Sequence, residues 1–257
     1  NELNLTVLST NEVIRVAGHR RGNAAIYPKL HAVEFFDGTV WDTAKIDSLA
    51  SKEVTEVGDT VMGTTGDDII NSLGGGDSVH GGDGDDAING GSGDDFIYGD
   101  AGDDTLIGGA GTDVVDGGEG NDTLRGGKGH INWLFGRGGD DTYIVAAGDG
   151  DHTIVNDSLS TDEMEPGDQN VLRFTAGIKP SDIDLQPSSN GNEDNGNTLN
   201  LTLQSTGETV SIVRYFREDS HFLIEFDDGS SWDKETVREL LPTSSEGDDI
   251  IIGDIPD

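Results

Sequence analysis

The chain has 257 residues, with 51 acidic against 15 basic side chains and a formal net charge of −36. That balance makes nucleic acid and anionic membrane poor partners, and with no cysteine the fold cannot be stapled by disulfides. Only 32% of the residues are hydrophobic and no apolar run is long enough to cross a bilayer, so the core must be thin and spread along the molecule.

Residues 1–60 read as the tail of a β-rich flanking module. VEFFDGTVWD (33–42) reads as a strand, a turn and Trp41, leading into a short helix near Asp42–Leu49. Residues 63–125 then repeat one nine-residue pattern seven times, G-G-x-G-x-D-x-U-x with U apolar. The copies are GTTGDDIIN, SLGGGDSVH, GGDGDDAIN, GGSGDDFIY, GDAGDDTLI, GGAGTDVVD and GGEGNDTLR. Position six is always Asp: Asp68, Asp77, Asp86, Asp95, Asp104, Asp113 and Asp122. Position eight is always aliphatic: Ile70, Val79, Ile88, Ile97, Leu106, Val115 and Leu124. A strand of about three residues would point that one side chain inward, and the six residues before it would turn a corner. Glycine permits the backbone angles of such a corner, and Asp brings a carboxylate to it. Exposed carbonyls and carboxylates are the hard oxygen donors that Ca²⁺ prefers.

Charge supports the same reading. Residues 63–125 hold 14 Asp, one Glu and one basic residue, a net of −14. With so little apolar surface, the segment needs a neutralising cation to fold, and metal binding and folding become one equilibrium. A flexible Gly/Asp-rich linker would need neither Asp nor aliphatic residues locked in phase.

The seven copies resemble the RTX (repeats-in-toxin) family of haemolysin-type calcium-binding repeats. The resemblance implies an all-β fold: a right-handed parallel β-roll, flanked by β-rich capping modules that each end in a short helix. Two copies make one coil, so each corner stacks on the corner two copies later. One edge then stacks the corners that begin at Gly63, Gly81, Gly99 and Gly117, and the other those that begin at Ser72, Gly90 and Gly108. The resemblance implies Ca²⁺ ligands at positions one and three through backbone carbonyls and at position six through the carboxylate. Carried onto this chain, these are Gly63, Thr65, Asp68; Gly74, Asp77; Gly81, Asp83, Asp86; Gly90, Ser92, Asp95; Gly99, Ala101, Asp104; Gly108, Ala110, Asp113; Gly117, Glu119, Asp122; and Gly136, Gly138, Asp141. One ion per stacked pair of corners gives about five to eight ions. Ser72 and Leu73 replace the first two glycines of copy two, and Thr64 and Thr65 alter copy one, so the first corner of each edge departs most from the pattern.

After Arg125, GGKGHINWLF opens as an eighth copy, but it is ten residues long and Ile131 falls at the Asp position. GRGGDDTYI (136–144) restores the pattern and rejoins the edge of Gly117, with Asp141 at six and Tyr143 at eight. A faint last copy, AGDGDHTIV (147–155), has His152 at position six, expected at the surface because a lone His makes a poor metal site. Residues 61–156 are thus the expected roll.

Residues 157–243 read as a second flanking module. Leu199, Leu201 and Leu203 alternate with polar residues, Val210–Arg214 follows a turn at Thr206–Gly207, and Leu223–Phe226 is a further strand. Gly191–Asn197 is polar and glycine-rich, a loop. Trp232 leads into a helix at about 233–241, with Val237, Leu240 and Leu241 on one face and Pro242 ending it. Trp41, Trp133 and Trp232 are expected to fill small cap cores rather than form a sugar-stacking surface. NELNLTVLST (1–10) recurs as NTLNLTLQST (197–206), VEFFDGTVWD (33–42) as IEFDDGSSWD (224–233), and GDDII (66–70) at 247–251. Residues 244–257 therefore read as the start of another roll, and the chain as a window on a tandem array of modules, each of roughly 180–195 residues.

No H-E-x-x-H, G-x-S-x-G, Cys nucleophile or phosphate loop is present, so the sequence reads as a non-catalytic, calcium-folded scaffold segment of a large secreted adhesin or toxin. The resemblance implies type I secretion of an unfolded chain that folds in extracellular Ca²⁺. The expected partners are Ca²⁺, neighbouring modules, and a cell-surface glycan or protein. A non-catalytic module of a secreted enzyme and a glycan-binding module are the alternatives.

Overall fold

The computed structural model describes residues 55–155, 168–187, 198–217 and 220–241, and by backbone alone the strands within residues 3–42. The expected helix near Asp42–Leu49, the loop 191–197 and the new roll at 244–257 lie outside the described residues. The chain divides into two compact units, Asn1–Val54 and Thr55–Asp257.

The first unit holds two antiparallel pairs: β1 (Leu3–Val7) with β2 (Glu12–Val16), and β3 (Ala32–Glu34) with β4 (Val40–Asp42). In the second unit, short strands alternate between two sheets. One carries β5 (Thr60–Met62), β7 (Ser78–Asp83), β9 (Phe96–Ala101), β11 (Val114–Glu119), β13 (Ile131–Gly138) and β15 (Asp151–Val155), paired in parallel in that order. The other carries β6 (Ile69–Asn71), β8 (Ala87–Ser92), β10 (Thr105–Ala110), β12 (Thr123–Lys128) and β14 (Thr142–Val145), again parallel. Successive strands go to opposite sheets because the apolar period is nine residues, one strand plus one corner. This is a parallel β-solenoid of stacked coils.

The register sets position eight on position eight: Leu106 lies between Ile88 and Leu124, and Val115 between Ile97 and Leu134. Val79, Ile97, Leu106, Val115, Leu124, Leu134 and Tyr143 are fully buried, and they form the inward stripe. Most strands are six residues long rather than three, because positions one to three of the following corner also pair across coils, as Gly109 does with Gly91 and Gly127. The glycine at position two, as at Gly82, Gly91, Gly109, Gly118 and Gly127, has φ between +87° and +118°. Leu73, Asp100 and Arg137 adopt the same left-handed region at this position, with φ between 69° and 78°. Asp100 is tied to His80 at 3.1 Å and Arg137 to Asp116 at 2.9 Å.

The coil count begins one copy earlier than the glycine pattern suggests. Residues 55–62 form a degenerate copy with Asp59 at position six and Val61, 4% exposed, at position eight, and β5 pairs with β7.

The two sheets continue past residue 155. β16 (Asn170–Phe174) pairs in parallel with β14, and β20 (Phe222–Glu225) with β16. β19 (Thr209–Val213) pairs in parallel with β15. Direction then reverses: β18 (Leu199–Leu203) and β17 (Ile183–Pro187) extend one sheet antiparallel, and β21 (Ser231–Trp232) the other. Helix α1 (Lys234–Leu240) starts at Asp233, whose side chain accepts the Thr236 N–H at 2.8 Å. Val237 is buried, but Leu240 is 50% exposed, because the helix rests on its Val237 face alone.

The internal duplication extends to strand register. Leu3 pairs with Val16 as Leu199 pairs with Ile212, and Val33 pairs with Trp41 as Ile224 pairs with Trp232.

Candidate metal centres

Each corner places the position-six Asp inside the roll. Asp77, Asp86, Asp95, Asp104, Asp113, Asp122 and Asp141 are all at most 2% exposed. In each, Oδ1 accepts the backbone N–H of the position-six residue one coil earlier. Asp77, Asp86, Asp104 and Asp122 do so at 2.7–2.8 Å, from Asp59, Asp68, Asp86 and Asp104. Asp95 takes Asp77 at 2.8 Å, Asp113 takes Asp95 at 3.0 Å, and Asp141 takes Asp122 at 3.0 Å. The coil-to-coil spacing of 18 residues is thus built into two columns of carboxylates.

The second oxygen decides the chemistry. Oδ2 of all seven residues is buried without a hydrogen-bond partner. A buried carboxylate oxygen with nothing to accept carries a heavy desolvation cost unless a cation meets it. Its surroundings are oxygen-rich. A methyl group placed on Gly90 would lie 2.5 Å from Asp95 Oδ2 and 2.6 Å from the Gly108 carbonyl oxygen. On Gly108 it would lie 2.5 Å from both Asp113 Oδ2 and the Gly126 carbonyl. The same pair of oxygens converges at Gly81, Gly99 and Gly117, around Asp86, Asp104 and Asp122. Glycine at position one therefore leaves a cradle between a carboxylate and a carbonyl one coil on.

Among the described residues no group of three His, Asp or Glu side chains converges on one point. Carbonyls must supply most donors of any ion held here, which suits a hard divalent cation such as Ca²⁺ and not a soft or imidazole-seeking metal. The donor set thus fits Ca²⁺. The position-three carbonyls are already engaged: those of Ser92, Ala101, Ala110, Glu119 and Gly138 accept the position-four N–H of the preceding coil at 2.7–3.0 Å. A carbonyl has a second lone pair, so this does not bar ligation.

Burial holds the carboxyls above their ordinary range. It raises Asp86, pushes Asp95, Asp104 and Asp113 up to about 6, Asp122 to about 7 and Asp141 to about 8. The N–H from the coil before lowers each, and neighbouring Asp charges raise it further.

The ends of the columns differ. Asp68 is half-buried, and its Oδ2 accepts the Thr64 N–H at 2.6 Å. In the copy that carries Asp77, position one is Ser72 rather than glycine. A methyl on Gly136 would meet Asp141 Oδ2 and the Tyr143 hydroxyl, where at the other corners it would meet a carboxylate and a carbonyl. In the ten-residue copy it is Asn132, not Ile131, that takes position six: its Oδ1 accepts the Asp113 N–H at 2.9 Å, while Ile131 is 46% exposed. The extra residue is absorbed in the corner before it, so counting from the glycines misses by one. Asn170 does the same for Asp141, at 2.7 Å.

Two further expectations fail. His152 is buried, 1% exposed with neither ring nitrogen partnered, because β15 pairs it against Asn132 inside the roll; burial lowers its pKa. Trp133 is 42% exposed, because β13 points Asn132 and Leu134 inward and leaves Trp133 on the outer face. Trp232 does pack in a core, its ring 4.6 Å from that of Phe226.

The sequence reading also passed over position five. Oδ1 of Asp67, Asp85, Asp94, Asp103 and Asp140 accepts the N–H of position five one coil later, at 2.7–3.0 Å. Asn121 does the same for Asp140 at 2.8 Å. This exposed ladder runs opposite in sense to the buried one, so the corners that carry it are tied both ways. The recurring Asp at position five was its signal.

The model of the RTX calcium-binding nonapeptide repeat matches six overlapping stretches: 55–88, 62–97, 72–106, 80–115, 98–130 and 116–151. No curated protein matches the chain in sequence. Among solved structures, the chain is similar to the AlgE6R3 subunit of the Azotobacter vinelandii mannuronan C5-epimerase, at 22% identity over 63% of this chain and 74% of that one, with a TM-score of 0.27. Residues 55–151 are an array of RTX calcium-binding nonapeptide repeats, folded as a parallel β-roll.

Proposed function

We propose that the chain is a structural module of a secreted protein that folds when Ca²⁺ becomes available, and that the position-six carboxylates with the position-one and position-three carbonyls hold the ions. The observation that carries this reading is the pair of columns of buried, unpartnered Oδ2 atoms from Asp86 to Asp141. Bound Ca²⁺ supplies positive charge and coordination to these oxygens. The chain's own residues do the rest: glycine at position one keeps the cradle open, the Oδ1 bonds hold each carboxylate in its coil, and position eight closes the core. With chelator present the carboxylates repel one another across the coils, and a chain in that state suits passage through a secretion channel.

The duplicated strand register of the first unit supports a tandem array, in which rolls alternate with flanking β modules along a scaffold, stalk or adhesin. Among the described residues no helix is long and apolar enough to cross a membrane. The role is structural rather than catalytic, as part of an adhesin, a toxin or a secreted enzyme. A Ca²⁺ titration followed by calorimetry and far-UV circular dichroism tests the proposal. Coincident binding and folding transitions are expected; a strand-rich spectrum indifferent to excess chelator would overturn it.

A further inference from the structure

On the edge that carries Asp77, Asp95 and Asp113, the cradles at Asp95 and Asp113 are complete: an unpartnered Oδ2, glycine at position one, and a carbonyl one coil on. At Asp77 the carboxylate is equally buried and its Oδ2 equally unpartnered, but position one is Ser72. Ser72 is fully buried. Its hydroxyl donates to the Gly90 carbonyl at 2.6 Å, the position-one carbonyl of the next coil. This is the carbonyl that corresponds to Gly108 at the Asp95 cradle and Gly126 at the Asp113 cradle, the groups a Cβ would crowd there.

From this correspondence we infer that Ser72 takes the cation's place on the first rung of this ladder, so that the rung at Asp77 is closed by a hydroxyl and holds no ion. The inference rests on the calcium reading above and refines it. The Ser72 Cβ stands in the space that glycine leaves open elsewhere, and its hydroxyl proton takes up the carbonyl oxygen that an ion would otherwise coordinate, so that Asp77 Oδ2 alone of this cradle is left without a partner. The far end of the same ladder is closed by like means. The Asn132 side-chain NH₂ donates to the Gly127 carbonyl at 3.0 Å, and a methyl on Gly126 would meet Asn132 Nδ2 and the His152 ring rather than a carboxylate and a carbonyl. A neutral side-chain donor thus engages a corner carbonyl at each end of this ladder. Ladder length on this edge is therefore set by two side chains and not by the number of aspartates.

The test counts bound Ca²⁺ by calorimetry on the full chain and on single variants, with circular dichroism at saturating Ca²⁺ as the control for folding. Ser72→Gly is expected to bind one Ca²⁺ more than the parent, and the double variant Ser72→Gly/Asp77→Asn to lose that gain. Asp77→Asn alone is expected to leave the parent's count unchanged, while Asp95→Asn lowers it by one. The Asp77→Asn and Asp95→Asn pair stands even if Ser72→Gly fails to fold. A parent that binds Ca²⁺ but loses one ion on Asp77→Asn, or a folded Ser72→Gly with no added ion, overturns this inference alone. A parent that binds no Ca²⁺ overturns the calcium reading itself.

Discussion

The same two sheets run through residues 60–155 and 170–232, yet the two stretches are held together differently. In the first, each nine-residue unit buries about one aliphatic side chain, and its corners carry carboxylates with unpartnered oxygens. In the second, the strands bury every other residue, as at Leu199, Leu201 and Leu203, and the ends are filled by Phe174, Tyr215, Phe222, Phe226 and Trp232. Phe226 lies between Phe174, at 5.6 Å between ring centres, and Trp232, at 4.6 Å. A parallel sheet is indifferent to whether its stack is closed by ions or by hydrocarbon. The corner composition decides, and on the proposed calcium reading it makes one stretch conditional on solution chemistry and the other not.

Chelation should break this comparison most visibly. Excess chelator is expected to raise amide exchange across 78–128 far more than across 199–237, read by hydrogen exchange with mass spectrometry. Equal deprotection of both stretches would show that the flanking strands have no stability of their own. Next in size is a ladder substitution. Asp104→Ala, mid-column, should weaken Ca²⁺ affinity about tenfold or more, and Asp68→Ala much less, because Asp68 Oδ2 already accepts the Thr64 N–H. Calorimetry giving equal losses would count against the stacking order.

On the hydrocarbon side, Leu201→Ala should cost about 2–5 kcal/mol in denaturant unfolding at saturating Ca²⁺ and leave Ca²⁺ affinity near the parent's. A large fall in affinity would mean that the two stretches fold as one cooperative unit.

Acidity sharpens the contrast further. The ladder carboxyls titrate higher in the fold, at about 6 to 8, than the ordinary value of 3.8. The folded state therefore binds more protons across that window, and the metal-free roll loses stability as pH rises through it. In chelator, circular dichroism should show strand content growing as pH falls from about 8 toward about 4.5, and Ca²⁺ affinity should weaken over the same range as protons compete. The smallest effect is His152, whose lowered pKa has the opposite sign: its contribution is present above its unfolded pKa and is lost as pH falls through the window below. His152→Gln should flatten the acid side of a stability profile taken in Ca²⁺.

Much of this was legible from residue phase. Asp at six and an aliphatic at eight, locked to a period of nine, gave the inward stripe and the carboxylate corners, and the family resemblance implied that each corner stacks on the one two copies later. Alternation at Leu199–Leu203 gave the flanking strand, and the recurrence of whole phrases gave the duplicated hairpins. Three of the misses share a cause. Asn132, His152 and Trp133 are placed by pairing with residues distant in sequence, a single inserted residue inverted which neighbour faced inward, and Leu240 is left out because its helix rests on Val237 alone.

Sequence alone determined the period, the charge and the presence of a carboxylate at every corner, because these follow from residue type at fixed spacing. Only the tertiary structure decided which oxygens are left without partners and where each ladder stops. Both depend on the coil above and the coil below, and a side chain's own position in the repeat says nothing of what the next coil sets against it.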